Sequence, residues 1–329
     1  MKTAQRLLPC LLACLPLLAW PAFAQAPAVP AAAAAACPPQ RQPPDAAQLE
    51  SIRQRASDRG LLWKLQRDGR TSWLYGTLHV GRLDWLAPGP RVLGALRDSD
   101  ELAVELDLTD PQIQREMAAS ALSRPQELTL PEALRSRLAR QAEAACLPAG
   151  ALERLHPVMQ AVTLAVLDAR WEGLDAGLGQ EFVLIGGMRA LGRPVRSLEA
   201  VATQAAALIP ADRAQALAMV DQSLRQLEQR RSRPVVRRLA EAWSQGRLAE
   251  LEAYEQWCDC IDSPADREFM RRLNDSRNGV LAKAIAARHA AGQRVFAAVG
   301  ALHMVGPQAL PRLLAAEGFA VERVVFGTP

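Results

Sequence analysis

The same four-residue pattern, Gly-x-Leu-His, occurs near both ends of the chain, and each copy follows an apolar run that favours a β-strand. The copies span residues 76–79 and 300–303, so two of the four histidines, His79 and His303, occupy the same position just after a predicted strand. Because open α/β sheets bind ligands at the carboxyl ends of their strands, we expect both imidazoles to lie at one polar site. Imidazole is the commonest metal ligand in proteins, so the pattern favours a metal site.

Predicted strands and helices alternate at both ends of the chain, around a long helical middle. Asp68-Gly69 favours a tight turn between two β-favouring runs, so the fold is expected to open with a hairpin. This order predicts an α/β fold with a mixed or largely parallel central sheet, flanking helices and a large helical insertion. Strands are predicted at 61–65, 72–75, 101–107, 194–198, 294–299 and 319–326, and long helices at 200–209, 211–231, 235–258 and 264–291.

The first 24 residues have the features of a secretory signal peptide. Lys2 and Arg6 give a basic start, an apolar run follows, and residues 22–24 form a small-x-small cleavage site. The apolar run is short and interrupted by prolines, so it is not expected to anchor the chain in a bilayer. We therefore expect cleavage after Ala24, a periplasmic or secreted protein, and no transmembrane segment after cleavage. Lipid modification at Cys14, within a sequence like a lipoprotein box, is the less favoured alternative.

Residues 25–45 consist mainly of Ala, Pro and Gln, a composition that cannot form a core, so we expect a disordered leader there. Residues 46–329 have no low-complexity break and are expected to form a single domain. The formal charge of the whole chain is +4, and removal of the signal peptide with Lys2 and Arg6 lowers it to +2. This near balance gives no reason to expect nucleic acid as a partner.

Four cysteines remain after the signal peptide, and an even number in an oxidising compartment favours disulfides. They are Cys37, Cys146, Cys258 and Cys260, which allow three pairings. A bridge between Cys258 and Cys260 would close a very tight ring, so we expect each of them to pair with a distant partner. A metal-thiolate site is the less favoured alternative.

Six short motifs follow one another along the chain, and their order and spacing are more specific than any one of them. They are Gly76-Thr77-Leu78-His79-Val80-Gly81, Glu105-Leu106-Asp107, Gly173-Leu174-Asp175, Pro194-Val195-Arg196-Ser197-Leu198-Glu199, Arg277-Asn278 and Gly300-Ala301-Leu302-His303. Together they resemble the TraB/GumN family, which includes the Tiki metalloproteases that act on Wnt proteins, and the resemblance covers residues 58–327. It implies a fold related to the erythromycin esterase (EreA) and ChaN-like group. Its Tiki branch implies metal-dependent hydrolysis of peptides with Mn²⁺ or Co²⁺, and Zn²⁺ would also suit such a site.

His79 and His303 are the predicted metal ligands, because one imidazole nitrogen can coordinate a divalent ion while the other donates to a carbonyl or carboxylate. Glu105 ends its own predicted strand and is expected to reach the same edge of the sheet. Its role would be third ligand, or general base that removes a proton from water. Asp107 lies on the same face by strand alternation, so it competes with Glu105 for this role.

Arg277 and Asn278 are the other predicted catalytic residues. Arg277 would polarise a substrate carbonyl or hold a carboxylate, and Asn278 would orient the arginine or donate to an oxyanion. Without the family resemblance, an exposed pair on a charged helix would be the preferred interpretation. Glu199 is a weaker candidate, since an acidic residue there also favours the start of a helix. Asp175 is better explained as a helix N-cap.

These residues predict an exported metal-dependent hydrolase, most simply a peptidase that acts on a peptide or protein substrate. The alternatives are a non-catalytic protein that binds haem or another ligand in the same cleft, and an accessory factor in exopolysaccharide production. The sequence contains no glycine-rich phosphate loop, no Gly-x-Ser-x-Gly elbow and no His-Glu-x-x-His helix, which counts against nucleotide binding, serine esterase chemistry and thermolysin-like zinc sites. His156 and His289 lack the Gly-x-Leu-His context and are expected to be structural.

Overall fold

The computed structural model describes residues 37–122, 128–261 and 263–327. The predicted signal peptide, the alternative lipidation site Cys14 and the first part of the predicted leader lie outside the described residues. The end of that leader is attached to the folded chain, because Cys37 forms a disulfide with Cys146 and Arg41 Nη2 donates to Gly173 O at 3.1 Å. Within the described ranges, no helix combines the length and the apolar character needed to cross a membrane.

Strands and helices are numbered separately in chain order. The strands are β1 (Leu61–Arg67), β2 (Arg70–Thr77), β3 (Glu101–Val104), β4 (Val195–Ser197), β5 (Val295–Gly300) and β6 (Ala320–Val324). The helices are α1 (Ala46–Gln54), α2 (Pro90–Asp98), α3 (Pro111–Ala121), α4 (Glu132–Ala144), α5 (Pro157–Asp168), α6 (Gln180–Ala190), α7 (Val201–Leu208), α8 (Arg213–Glu228), α9 (Ser232–Ser244), α10 (Leu248–Glu252), α11 (Tyr254–Trp257), α12 (Pro264–Leu273), α13 (Asp275–Ala290) and α14 (Leu310–Ala316). Single 3₁₀ turns lie at Leu83–Trp85, Ala169–Glu172, Ala176–Leu178 and Ala301–Met304.

Six strands of the described chain form one open sheet in the order β4-β3-β5-β2-β1-β6. Strands β4, β3, β5 and β2 are parallel neighbours, whereas β1 is antiparallel to both β2 and β6. The predicted α/β class, with a mixed sheet and flanking helices, is confirmed. The four parallel strands end at the same edge of the sheet, which is where their polar residues meet.

The strands form for reasons that are visible in their composition. Strands β3 and β5 are buried along their whole length, as expected for apolar strands covered on both faces of a parallel sheet. The β1–β2 hairpin turns at Asp68 and Gly69, whose φ angles of 52° and 70° are those of a tight hairpin turn. The local sequence therefore fixes both the hairpin and the buried centre of the sheet.

The helical middle of the chain has an apolar cluster of its own, separate from the one that covers the sheet. Helix α8 packs against α4 and α5, and Leu138, Val158 and Val220 are buried between them. Helices α3 to α6 lie between β3 and β4, and helices α7 to α13 lie between β4 and β5. The predicted insertion therefore separates strands that are close to one another in the sheet.

Some predicted elements are shorter than expected. Strand β3 ends at Val104 rather than at residue 107. The predicted helix 235–258 is broken after Ser244, because Gly246 adopts a left-handed φ of 61°. The predicted helix 264–291 divides at Asn274, whose φ of −113° and ψ of −76° depart from helical values. As a result, Arg277 and Asn278 lie near the start of a separate helix, α13.

The predicted pairing of Cys258 and Cys260 with distant partners is wrong. These two cysteines are bonded to each other with their Cα atoms 5.1 Å apart, and Cys37 is bonded to Cys146 across 109 residues. The tight ring closes because Asp259 takes a left-handed φ of 50°, which turns the chain back on itself. All four described cysteines are thus in disulfides, which are typical of proteins from an oxidising compartment.

Candidate functional site

Polar side chains from four neighbouring parallel strands meet at one edge of the sheet. His79 lies two residues beyond β2, and Glu105 directly follows β3. Glu199 lies two residues beyond β4, and His303 lies in the 3₁₀ turn that follows β5. Because the carboxyl ends of parallel strands share one edge, residues that are far apart in the sequence come together there.

Gly300, the last residue of β5, is the point around which these side chains gather. A Cβ atom at Gly300 would lie 3.3 Å from Glu105 Oε1, 3.5 Å from His303 Cδ2 and 3.6 Å from His79 Nε2. Because both atoms lie close to this one point, the distance between His79 Nε2 and Glu105 Oε1 cannot exceed the sum of 3.6 Å and 3.3 Å. The Gly300 N–H also donates to Glu105 Oε1 at 2.8 Å, which fixes the carboxylate. The two imidazoles and one carboxylate thus surround a single position that glycine leaves open.

The two Gly-x-Leu-His copies also pack directly on each other. A Cβ atom at Gly76 would lie 3.1 Å from Met304 Cγ and 3.3 Å from Ala301 Cα. Any larger residue at position 76 would therefore require the second copy to move slightly. The carbonyl of Gly76 accepts a hydrogen bond from Trp243 Nε1 at 2.7 Å. The repeated glycines therefore allow the two strand ends to approach closely.

His303 is buried and is held by Asn278 of helix α13. Its Nδ1 lies 2.5 Å from Asn278 Oδ1, and the Asn278 amide donates to the carbonyls of His303 and Gln308 at 3.3 Å and 2.7 Å. These two bonds assign the amide nitrogen, so Oδ1 accepts from the His303 Nδ1–H group. Burial lowers the pKa of the His303 imidazole to about 4. The ring is therefore neutral at pH 7, and the lone pair of its Nε2 faces Arg277 Nη1 at 3.4 Å.

His79 is held differently, by the carboxylate of Glu181 at the start of helix α6. His79 Nδ1 lies 3.0 Å from Glu181 Oε1, which also accepts from Thr77 Oγ1 at 2.5 Å. The side chain of His79 is 68% exposed, whereas that of Glu181 is only 9% exposed. The negative charge of Glu181 raises the pKa of His79 to about 9, with a smaller contribution from Glu105. His79 is therefore a cation at pH 7, and its Nε2 is the ring nitrogen that faces the site.

Arg277 joins two buried glutamates in one ion-pair network. Its Nε donates to Glu199 Oε2 at 3.0 Å, and its Nη2 contacts the carboxylates of both Glu199 and Glu105. The third nitrogen, Nη1, donates to Leu273 O at 2.8 Å. The side chains of Arg277 and Glu105 are each 8% exposed, and that of Glu199 is 1% exposed. One guanidinium therefore balances two carboxylates that water scarcely reaches.

The pKa values of these two glutamates move in opposite directions. Burial raises the pKa of Glu199, although Arg277 acts against this rise. Burial acts on Glu105 in the same sense, but positive charge and a backbone N–H outweigh it and lower the pKa to about 2. In the acidic range where Glu105 takes up its proton, His303, His79 and Arg277 all carry positive charge, and together with the Gly300 N–H they cause this lowering. Glu105 is therefore an anion at any physiological pH.

A sequence profile of the TraB/PrgY/gumN family matches residues 61–323, which is most of the chain. The chain belongs to this family. The matched segment contains every residue described above at the sheet edge, from His79 to His303. Neither a search of curated proteins nor one of solved structures gave a match.

The site of this TraB/PrgY/gumN protein contains most of the residues that the sequence singled out. His79, Glu105, Arg277, Asn278 and His303 come together, and they are joined by the weaker candidate, Glu199, through its bonds to Arg277.

Other sequence candidates lie elsewhere. Asp107 does not share the face of Glu105, because β3 ends at Val104 and strand alternation stops there. Its carboxylate instead accepts from Arg189 Nη2 at 3.0 Å and from Thr109 Oγ1 at 2.6 Å. Asp175 caps the 3₁₀ turn Ala176–Leu178 and accepts from Gly177 N at 2.8 Å.

The two remaining histidines hold positions within the fold. His156 Nδ1 accepts from Val158 N at the start of helix α5, at 3.2 Å. His289 lies 2.8 Å from Ser72 Oγ and 3.0 Å from Arg67 O. Neither residue contributes to the sheet edge where the candidate site lies.

Glu181 is the member of the site that the sequence interpretation missed. The start of α6 reaches the strand end because Gln180 N donates to Leu78 O at 2.9 Å. The one signal in the sequence is that Glu181 is the only acidic residue of an otherwise largely apolar helix. Such a residue on a buried face needs a partner, but the sequence alone does not say which one.

The imidazoles of His79 and His303 and the carboxylate of Glu105 are ligand types that suit a divalent ion, although they do not have the geometry of a metal site. In the part of the chain that the structure describes, no group of three or more His, Cys, Asp or Glu side chains has that arrangement. Arg277 contacts Glu105 and lies beside His303 Nε2, so it now pairs with two of the proposed donors. The chemistry of the donors still fits: Nδ1 of both His79 and His303 is tied to an acceptor, which leaves two Nε2 atoms and Glu105 Oε1 for ligation.

Proposed function

We propose that this TraB/PrgY/gumN protein is a metal-dependent hydrolase that cleaves peptide or protein substrates. The proposed ligands are His79, His303 and Glu105, and the proposed ion is Mn²⁺ or Co²⁺, with Zn²⁺ as an alternative. The observation that carries this proposal is the gathering of two imidazoles and one carboxylate around the open position at Gly300. Two histidines and one carboxylate are a common ligand set of catalytic sites that leave a coordination position open.

The hydrogen bonds behind the histidines support the same interpretation. Metal-binding histidines nearly always donate their second nitrogen to a carboxylate, a carbonyl or water, which fixes the ring and its tautomer. Here Glu181 has this role for His79, and Asn278 has it for His303. In both histidines Nδ1 is occupied by its hydrogen-bond partner, so Nε2 is the ring nitrogen left for a metal ion once Arg277 moves away from His303.

Each residue around the proposed ligands has a role that follows from its contacts. A bound divalent ion would supply Lewis-acid catalysis and make water a stronger nucleophile. Glu199 holds Arg277 through two nitrogens, so the guanidinium keeps its place if Glu105 turns to ligation. The Arg277 charge would then face the negative oxygen that develops on a substrate carbonyl. Asn278 keeps His303 in the tautomer with a free Nε2.

The exposure of the site favours a chain-like substrate. The His79 side chain is 68% exposed whereas His303 and Glu105 are buried, so solvent reaches the proposed ligand set from the His79 side. An open site at a sheet edge accommodates an extended polypeptide, of which only a few residues contact the enzyme. This preference agrees with the peptide hydrolysis that the Tiki resemblance implies.

The proposal is tested with the purified mature protein, a mixture of peptides and mass spectrometry, with Mn²⁺, Co²⁺ or Zn²⁺ added separately. We expect cleavage that Glu105→Gln and His303→Ala each reduce by about 100-fold or more. Asp107→Asn is the matched control, because this neighbouring carboxylate pairs with Arg189 and should leave cleavage unchanged. Cleavage unaffected by Glu105→Gln, or absent with every ion, would contradict the proposal.

The same preparation also tests the haem-binding alternative. Haem is added in an absorption titration, in parallel with the cleavage assay. A haem absorption band that disappears in His303→Ala, together with no cleavage of any peptide, would favour a binding protein over a hydrolase.

A further inference from the structure

We propose that Cys258 and Cys260 form a thiol–disulfide exchange site, in which the bridge accepts two electrons from thiols of another molecule. The bridge lies between helices α11 and α12, outside the candidate hydrolase site. This inference is therefore independent of the proposed function, and neither one fails with the other.

The ring size is the first reason. The sequence separation is 2 between Cys258 and Cys260 and 109 between Cys37 and Cys146. A disulfide stabilises a fold mainly by removing chain freedom from the unfolded state, and that effect grows with the length of the closed loop. The bridge between Cys37 and Cys146 therefore has a structural role, while the bridge between Cys258 and Cys260 contributes little to holding the fold together.

The exposure of the two cysteines is the second reason. Cys258 is fully buried, whereas Cys260 is partly exposed and follows an exposed Asp259. Solvent therefore reaches part of Cys260 but not Cys258, so Cys260 is the cysteine at which we expect an attacking thiolate to arrive. Exchange sites combine one accessible sulfur with a protected one in this way, so that the reaction has a direction.

The surroundings of the turn are the third reason. The Tyr254 hydroxyl oxygen lies 3.5 Å from Cys260 Sγ, and burial raises the pKa of Tyr254 to about 12. This hydroxyl therefore keeps its proton and can donate to a thiolate on Cys260. Arg231 Nε donates to Asp259 Oδ2 at 3.1 Å and Arg231 Nη2 donates to Asp259 O at 3.0 Å. These bonds hold Asp259 in the turn that separates the two cysteines.

The proposed reaction is balanced with two substrate thiols. The thiolate of the first attacks Cys260 Sγ, the bond between the two cysteines breaks, and the Cys258 sulfur leaves with the electron pair and takes up a proton. A second substrate thiolate then attacks the substrate sulfur of the mixed disulfide and releases Cys260 as a thiolate, to which Tyr254 donates. The substrate thiols are oxidised to a disulfide, and the bridge is reduced to a Cys258 thiol and a Cys260 thiolate.

The first experiment uses the unmodified protein and its second disulfide as an internal control. The full chain is equilibrated in glutathione buffers of increasing reducing strength, free thiols are alkylated, and the reduced fraction of each bridge is measured by mass spectrometry. Because a single residue between the cysteines closes a very tight ring, the bridge between Cys258 and Cys260 is expected to open at a value of [GSH]²/[GSSG] roughly 100-fold lower than the bridge between Cys37 and Cys146. Reduction of both bridges over the same range would overturn the proposal.

The second experiment tests the direction of attack with single substitutions, each checked for folding by its thermal unfolding curve. Cys258→Ser should form a mixed disulfide with oxidised glutathione through the accessible Cys260. Cys260→Ser, which leaves only the buried Cys258, should react at least about 10-fold more slowly. Equal rates for the two variants would contradict the proposed roles.

The source of the substrate thiol is distinguished in a third arm. Oxidised wild-type protein is mixed either with reduced glutathione or with a peptide that contains one cysteine, at the same thiol concentration, and disulfide formation in the thiol is measured. Faster oxidation of the peptide identifies polypeptide thiols as the substrate class, and faster oxidation of glutathione identifies small thiols. Oxidation of neither one would exclude an exchange site.

Discussion

The two copies of Gly-x-Leu-His have the same pattern, yet they place their histidines in opposite environments. His79 is exposed and held by the carboxylate of Glu181, which raises its pKa to about 9. His303 is buried and held by the amide of Asn278, and burial lowers its pKa to about 4. The comparison shows that the pattern fixes the position of each imidazole, whereas burial and the acceptor at Nδ1 determine its charge.

This difference bears directly on metal binding. At neutral pH, His303 already has a free lone pair on Nε2, but His79 must lose a proton before it can ligate. A metal ion and a proton therefore compete at His79 and not at His303. The affinity of the site for a divalent ion should rise with pH as His79 is deprotonated.

The largest expected effect is a loss of stability in the buried network around Arg277. Arg277→Met leaves the carboxylates of Glu105 and Glu199 buried without their cation, so we expect the free energy of unfolding to fall by about 3–5 kcal/mol. Arg294→Met is the matched control, because its ion pair with Asp100 is on the surface and should contribute about 1 kcal/mol or less. Urea denaturation measures both values, and equal losses would show that the buried network has no special weight.

The next effect comes from giving His79 an amide partner, like the Asn278 amide that holds His303. Glu181→Gln keeps an oxygen acceptor for His79 Nδ1 but removes the negative charge, so the pKa of His79 should fall by about 1–2 units. The loss of a carboxylate behind a ligand should also weaken divalent-metal binding by about 10-fold to 100-fold. NMR titration of the imidazole resonances measures the pKa, and calorimetry measures the metal affinity. A pKa that stays near 9 would mean that Glu181 is not its cause.

The smallest expected effect concerns the pH dependence of the free energy of unfolding. The pKa of His303 is lowered from 6.5, so the unfolded chain binds more protons between about pH 4 and pH 6.5, and stability falls as the pH decreases through that range. The pKa of His79 is raised from 6.5, so the folded chain binds more protons between pH 6.5 and about pH 9, and stability falls as the pH rises through that range. Across each of the two pH ranges, the free energy of unfolding should change by on the order of 1 kcal/mol. The change due to His79 should be the smaller one, because its side chain is exposed to solvent.

Two variants separate these two changes in thermal unfolding curves recorded from pH 4 to pH 9. His303→Gln should flatten the acid side only, and His79→Gln should flatten the alkaline side only. If either variant flattened both sides, the two imidazoles would not titrate as separate groups with opposite shifts.

The sequence predicts which side chains meet in this site better than it predicts the charge that each of them carries. Apolar β-favouring runs indicate where the strands end, and the ends of parallel strands meet at one edge, so His79, Glu105 and His303 could be placed together. Arg277 and Asn278 could be added from the family resemblance. The exclusion of Asp107 could not be predicted, because it depends on β3 ending at Val104, a boundary that sequence patterns place only within a few residues.

The remaining features depend on packing between distant segments. The partnership of Glu181 with His79 requires α6 to begin beside the end of β2, about 100 residues earlier in the chain. The bridge between Cys258 and Cys260 requires a left-handed turn at Asp259, a conformation that aspartate tolerates but does not demand. Neither one leaves a periodic signal in the sequence.

Whether His79, His303 and Glu105 hold one metal ion is tested by titrating the metal-free mature protein with Mn²⁺ at pH 8. Calorimetry follows the binding for the wild type and for His79→Ala, His303→Ala and Glu105→Gln. We expect one Mn²⁺ ion per wild-type chain and an affinity that is at least about 100-fold lower in each variant, with Asp107→Asn unchanged. Absence of binding to the wild type, or binding that all three variants retain, would contradict this expectation.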